Sequence, residues 1–280
     1  MTDKIILITG ASDGIGKQAA FELAKTGAYV IMHGRNREKT EAAANWVRDM
    51  TKDANIDIVL ADLASIKQIK QMSEHLHQRY DYLDVLVNNA GVQMHEFELS
   101  EDGFEKTFAI NHLAYFLVCS YLVDLVAKSD YGRIVNVSSA LHYRADLDFE
   151  TILASEGYSL FSNYSTSKLC NVLFSNKLAR DLKSFDITVN SIHPGLIDTH
   201  LNPRRSPETV ARALPVEKGI ISMIRAITDK ELDNVTGRYL DSDGSLIDSS
   251  EMSNDEDLQQ KLWDFTEDLI GESFHLPNTS

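Results

Sequence analysis

Tyr164 and Lys168 stand four residues apart in Asn163-Tyr164-Ser165-Thr166-Ser167-Lys168. On a helix, that spacing puts both side chains on one face. A cation beside a phenol lowers its pKa from about 10 toward the working range, which makes the phenol a usable general acid/base. Many helices carry such a pair by chance, so its weight depends on its surroundings.

A second group is the turn Thr9-Gly10-Ala11-Ser12-Asp13-Gly14-Ile15-Gly16. Glycines let backbone turn sharply and approach a pyrophosphate, while the following helix aims its N-terminus at the negative charge. The spacing is Gly-x-x-x-Gly-x-Gly, and the turn stands at the first strand–helix junction of the chain. A third group, His33-Gly34-Arg35-Asn36-Arg37, ends the second apolar run. It contains no carboxylate to bond a ribose 2′-hydroxyl, whereas Arg35 offers a planar fork to a 2′-phosphate, with Lys17, Arg37 or Lys39 as neighbours. The cofactor expected from these two groups is NADP(H).

The elements between these groups must bring them together. Short β-branched runs read as buried parallel strands at 5–8, 29–32, 56–60, 85–87, 133–137 and 187–192, with a last short one near 238–240. Helical spacing fills 14–26, 37–52, 65–80, 101–128 and 163–184, with further helices near 216–230 and 259–270. This alternation predicts a single-domain α/β fold of Rossmann type, a doubly wound parallel sheet of about seven strands with helices on both faces. Ligands of such sheets bind beyond the carboxyl ends of the strands, where all three groups fall. The proline-bearing stretch 196–215 reads as a substrate loop with short helices, the acidic, serine-rich 248–257 as a solvated connector, and about 255–271 as the region of a C-terminal helix.

Composition narrows the partners. A formal net charge of −15 over 280 residues repels nucleic acid and anionic lipid from the general surface. Cys119 and Cys170 lie in apolar helical stretches and read as reduced core thiols. With the nine histidines they form no metal-ligand spacing, so no metal is expected. The N-terminus passes at once into a strand, and the apolar run from Leu113 to Val123 is shorter than the roughly 20 residues of a membrane span. Cytoplasmic residence without a membrane span is the expectation.

Further motifs join these in a definite order: Asp62-Leu63, Asn88-Asn89-Ala90-Gly91, Asn111, Val137-Ser138-Ser139 and Pro194-Gly195. Together with the glycine turn and the Tyr164/Lys168 pair, they resemble the short-chain dehydrogenases/reductases over nearly the whole chain. Gly34-Arg35-Asn36, the long insert between Ser139 and Tyr164, and Lys261-Leu262-Trp263-Asp264 resemble its retinol-dehydrogenase-like and protochlorophyllide-reductase-like branch. The resemblance implies an oxidoreductase moving a hydride between nicotinamide and a carbonyl or alcohol carbon of a small, lipophilic substrate. By it, Tyr164 is the proton donor, and Lys168 lowers its pKa and holds the ribose. Ser139 bonds the substrate oxygen, and Asn111 holds a helix kink and a water. It further implies that Gly10, Ser12, Asp13, Gly14, Ile15, Gly16, Arg35, Asp62, Leu63, Asn89, Ala90, Gly91, Pro194, Gly195 and Thr199 line the cofactor.

His142, His193 and His200 lie near this constellation with no carboxylate or metal partner in view, and read as structural. The segment 141–162, with Tyr143, Phe149, Tyr158 and Phe161, either lines a substrate site or is a surface excursion. The resemblance also implies a homodimer or homotetramer paired through 101–128 and 163–184, with Leu117, Tyr121, Leu173 and Leu178 facing outward or packing in the core. A silent NADP(H)-binding sensor or scaffold on the same fold is the alternative function.

Overall fold

The computed structural model describes residues 1–52, 54–201, 204 and 206–277. Alternation sorts each strand's side chains to two faces. Leu7, Ile31, Leu86, Ile134 and Val189 point to one hydrophobic cluster, and their neighbours Ile6, Ile8, Val30, Met32, Val85, Val87 and Val135 to another. The strands are β1 (Ile5–Ile8), β2 (Tyr29–Gly34), β3 (Ile56–Leu60), β4 (Val85–Asn88), β5 (Arg133–Val137), β6 (Thr188–Ile192), β7 (Tyr239–Leu240) and β8 (Leu246–Ile247). They form one sheet in the order β3-β2-β1-β4-β5-β6-β7-β8, parallel except for the β7–β8 pair. The antiparallel β8 exceeds the seven strands expected, because two residues are too short to show a period.

The helices are α1 (Gly14–Ala24), α2 (Arg37–Thr51), α3 (Ile66–Arg79), α4 (Lys106–Phe108), α5 (Ala114–Val126), α6 (Leu160–Asp181), α7 (Pro207–Arg212), α8 (Ile221–Thr228) and α9 (Glu256–Ile270). On the first face lie α3, α5 and α6; α1, α2 and α8 cover the other. The α4 and α5 segments run together through a π turn at Ala109–Leu113. The combined stretch Lys106–Val126 is long and apolar enough to cross a membrane, yet 89% of its apolar window is buried within the fold. Its apolarity serves the core. Helix begins at Lys106 rather than near 101 because Glu105 caps it, accepting from the N–H groups of Thr107 and Phe108.

One further expectation is corrected, and an alternative left open by the sequence is decided. Within the supposed connector 248–257, Glu251–Asn254 form a 3₁₀ turn whose buried Ser253 carbonyl accepts from Asn176 Nδ2 and Gln259 Nε2. Asn176 docks the segment on α6, and Gln259 ties it to the first turns of α9. Behind it, α9 packs along α6, with Trp263 against Phe116 at 4.9 Å and Phe274 at 4.7 Å. Leu117, Leu173 and Leu178 are consequently buried inside the subunit, and the half-buried Tyr121 donates to Glu272. None of the three leucines faces outward to pair with a second copy.

Candidate active site

The glycine turn is shaped by contacts no other residue would permit. Gly10 has φ +65°, and a Cβ there would stand 2.8 Å from Ala90 Cα. A Cβ on Gly16 would stand 2.4 Å from the Gly10 carbonyl oxygen and 2.5 Å from Asn89 Nδ2. The turn is tied to β4 by Asn89, whose Nδ2 donates to the carbonyls of Thr9 and Gly10 at 2.8 and 3.2 Å. Thr9 Oγ1 accepts from the Asn89 and Ala90 N–H groups. His33 closes the other side: its Nδ1 accepts from Gly10 N–H, which fixes the tautomer so that Nε2–H donates to the Ala61 carbonyl. Burial pushes His33 down to about 4, so it stays neutral at ordinary pH. Neither Thr9 nor His33 was singled out in the sequence for these bonds, since both partners are distant in the chain.

Asp13 caps α1 through Gly14 N–H and also receives His200 Nδ1 at 2.7 Å. His200 therefore has a carboxylate partner, contrary to the sequence reading. Ser12 and Ile15 fill the turn, the latter within 2.6 Å of a Cβ built on Gly219. Arg35 is two-thirds exposed and lies 3.9 Å from Asp62, a loose contact that leaves its fork available. Asp62 in turn caps Ala64 N–H, and Leu63 is buried. Arg37 is paired with Glu41, and the Lys17 ammonium sits 4.1 Å above the Trp46 ring. Of Lys17, Arg35 and Arg37, Arg35 thus has the loosest contact.

Around Tyr164 the expected groups converge. Ser138 donates to the Lys168 carbonyl at 2.7 Å, which fixes it against α6. Ser139 is the serine whose hydroxyl reaches the Tyr164 phenol, a contact that favours the phenolate. Burial outweighs it and pushes Tyr164 well above the usual tyrosine range. Lys168 Nζ donates to the Val137 carbonyl at 2.9 Å and lies 5.6 Å from the ring centroids of both Tyr164 and Tyr115. Burial pushes its ammonium down to about 7. The expected lowering of the Tyr164 pKa by Lys168 is absent from this geometry, because the ammonium turns to a backbone carbonyl and is itself desolvated.

Asn111 lies inside the π turn, the local departure from α geometry anticipated at this residue. Its Oδ1 accepts from Val92 N–H, and its Nδ2 donates to the Val92 carbonyl and to Ser167 Oγ. Gly91 lies between the two ends of the site: a Cβ there would stand 3.3 Å from Asn111 Oδ1 and 3.5 Å from Lys168 Nζ. Tyr115, a further residue the sequence did not single out, anchors this strand end by donating to the Ala90 carbonyl.

Pro194 and Gly195 follow β6, with Gly195 at φ +93°. Thr199 approaches the glycine turn, its Cγ2 3.3 Å from a Cβ built on Gly14. Residues 202, 203 and 205 of the expected substrate loop lie outside the described residues; Ile197 and Leu214 bridge its two sides. Within 141–162, Phe149 packs on Phe265 at 5.0 Å and Ile152 is buried, so that part is core rather than site lining. Tyr143 and Phe161 remain exposed. No cluster of three metal-ligating side chains occurs among the described residues.

A family profile described as short chain dehydrogenase matches residues 4–209. Retinol dehydrogenase 14 of Mus musculus is 35% identical, over 97% of this chain and 87% of its own length. The crystal structure of an uncharacterized protein from Mycobacterium paratuberculosis superposes with a TM-score of 0.78 at 28% identity, covering 98% of this chain and 96% of that one. A short chain dehydrogenase from Shigella flexneri, complexed with NADP, gives 0.70 at 27% identity over 86% and 98% of the two chains. The match of profile, relatives and fold, on a chain that assembles these residues at one sheet edge, places it in the short-chain dehydrogenase family of oxidoreductases.

Proposed function

We propose that the chain is an NADP(H)-dependent oxidoreductase interconverting a carbonyl and an alcohol on a small, lipophilic substrate, with Tyr164 as general acid/base. The observation that carries this reading is the meeting of Ser139 and Tyr164 beside Lys168, Asn111 and Gly91 at the carboxyl edge of the sheet. A cofactor-binding sensor has no use for the serine–phenol contact.

The residues present fit a dinucleotide. Gly10 and Gly16 permit close backbone approaches that a Cβ would block, Gly14 takes a positive φ, and together they shape the turn that opens α1, the helix N-terminus suited to a pyrophosphate. Arg35 supports NADP over NAD, as does the NADP carried by the Shigella flexneri relative. The nicotinamide, when bound, supplies or accepts the hydride. Ser139 holds the substrate oxygen by a hydrogen bond, and Tyr164 gives that oxygen a proton during reduction or removes it during oxidation. Lys168 binds the ribose hydroxyls, and Ser139 is the group that favours loss of the phenolic proton. Asn111 keeps the π turn and the 91–92 strand end in register. Exposed Leu196, Leu201, Val210 and Leu214, on the segment after Pro194-Gly195, support an apolar substrate.

The test is NADPH oxidation by the purified protein against a panel of aliphatic, aromatic and polyene aldehydes and ketones. Turnover is expected with apolar members, faster with NADPH than with NADH. NADPH binding without turnover on any carbonyl, and without NADP+ reduction by the matching alcohols, would instead support the sensor.

A further inference from the structure

The serine that reaches Tyr164 is held by a peptide group with an imidazole on each side. The Ser139 carbonyl accepts from His142 Nδ1 at 2.7 Å, and the N–H of the same peptide, on Ala140, donates to His193 Nδ1 at 3.2 Å. The surroundings determine both tautomers. His142 Nε2 accepts from Ser250 N–H at 3.1 Å, so its proton is on Nδ1. His193 Nδ1 accepts from two backbone donors, Ala140 N–H and Gly195 N–H at 3.3 Å, so its proton is on Nε2. A backbone N–H can only donate, which leaves no other assignment.

We propose that His142 and His193 are positioning residues, two neutral imidazoles of opposite tautomer that clamp the Ser139–Ala140 peptide and thereby set the Ser139 hydroxyl against Tyr164. The inference rests on the proposed role of Ser139. His193 also couples that peptide to Gly195, so the serine and the Pro194-Gly195 segment are held in one register. His142 extends the tie to the Ser250 backbone. The clamp needs unprotonated nitrogens. A second proton on His193 Nδ1 would face two N–H donors, and one on His142 Nε2 would face the Ser250 N–H.

The neighbours keep the rings neutral at ordinary pH. Burial pushes His142 down to about 4, and the adjacent His193 acts in the same direction. Burial also lowers His193, against the pull of the Asp241 carboxylate. The rings of Tyr143 and Tyr239 pack at a tilt against His142, centroids 4.0 and 4.6 Å away, and both phenols are raised by burial and stay uncharged. Asp241 and Asp248 face Tyr143, and Tyr164 faces Tyr239. Asp241 works against the burial that lowers His193, and His193 is the ring that receives both the Ala140 and the Gly195 N–H groups, so its protonation would break two bonds at once. Carbonyl reduction by a phenol does not require a neutral imidazole, and Lys168 titrates in wild type and in a His193 variant alike, so an acid-side loss of kcat that disappears with the His193 imidazole is the signature of the clamp.

The experiment measures kcat for carbonyl reduction at saturating NADPH from pH 4.5 to 9, with thermal unfolding at each pH to confirm the folded state. In His193→Asn, the amide oxygen replaces Nδ1 as acceptor but cannot titrate; in His193→Leu nothing accepts. Wild type should lose about tenfold or more in kcat, reversibly, between pH 7 and 4.5, and His193→Asn should lose less than about twofold over that range. His193→Leu should show kcat lowered about tenfold or more at every pH, most of which His193→Asn recovers. The clamp is overturned if His193→Asn keeps the wild-type acid loss, or if folded His193→Leu keeps wild-type kcat. Should His193→Leu fail to fold, the His193→Asn profile still decides. Tyr164→Phe and Ser139→Ala run alongside separate the two ideas. If they retain turnover, the catalytic assignment fails; if they lose it while the histidine variants match wild type, the clamp alone fails.

Discussion

Tyr164 and Lys168, one helical turn apart on α6, are driven in opposite directions by the same burial: the phenol upward, the ammonium down to about 7. Both charged forms are disfavoured in a site closed by the Ser138 and Val137 strand end. What lowers the phenol is its contact with Ser139, so the serine tunes the proposed acid.

Lys168 should make stability depend on pH. Its ordinary pKa is 10.5 and its folded value about 7, so between those limits the unfolded chain holds a proton that the folded chain has lost. Stability then rises with pH through that window. Lys168→Met removes the titration. The difference in unfolding free energy, wild type minus variant, should become steadily more positive from pH 7 to 10.5. Denaturant melts that run parallel for the two proteins across this range would refute the buried, depressed ammonium.

Tyr164→Phe keeps the ring and its packing but removes the proton. Turnover should fall by about 10²–10⁴-fold, the usual worth of general acid/base catalysis. NADPH affinity should change little. Near-normal turnover in a folded variant would mean that another group supplies the proton.

Arg35→Ala tests the cofactor assignment. A charge-assisted phosphate contact is worth roughly 1.5–3 kcal/mol, so NADPH binding should weaken about tenfold or more. NADH binding should hardly move, since Arg35 makes only the loose Asp62 contact in the fold. Equal losses for both cofactors in a fluorescence titration would remove Arg35 from the 2′-phosphate site.

Gly16→Ala adds a methyl group 2.4 Å from the Gly10 carbonyl oxygen. Backbone must shift on the first turn of α1, a strain of roughly 1–3 kcal/mol. The expected result is a lower Tm together with loss of binding for both cofactors, because the displaced atoms form the turn itself. A variant with normal Tm and normal NADPH affinity would show that the turn is looser than its contacts indicate.

Leu173 is fully buried between α6 and its neighbours, inside the subunit. Leu173→Ala should cost about 2–5 kcal/mol of stability, as large-to-small core changes do. Its mass by light scattering should equal that of wild type at the same concentration. A change of oligomeric mass without loss of stability would return this face to an intersubunit role.

The local part of this design was legible in the chain itself. Strand–helix alternation, the glycine turn after β1, the carboxylate-free end of β2 and the Tyr164/Lys168 spacing are all short-range patterns, so the doubly wound sheet and the edge bearing the site followed from them. Residues that bond across long sequence separations were a different matter. Asn89 closes on Thr9 and Gly10 across about 80 positions, and His142 reaches Ser250 across 108. The parallel pairing of β1 with β4 makes the first pair neighbours and the order β5-β6-β7-β8 the second, and no local period encodes either proximity. The covering of α6 by α9 has the same origin: Leu173 reads identically whether its partner is a second subunit or Leu262 of its own chain. A side chain's type states what it can bond or bury, while its actual partner is decided by which strands the crossovers bring side by side.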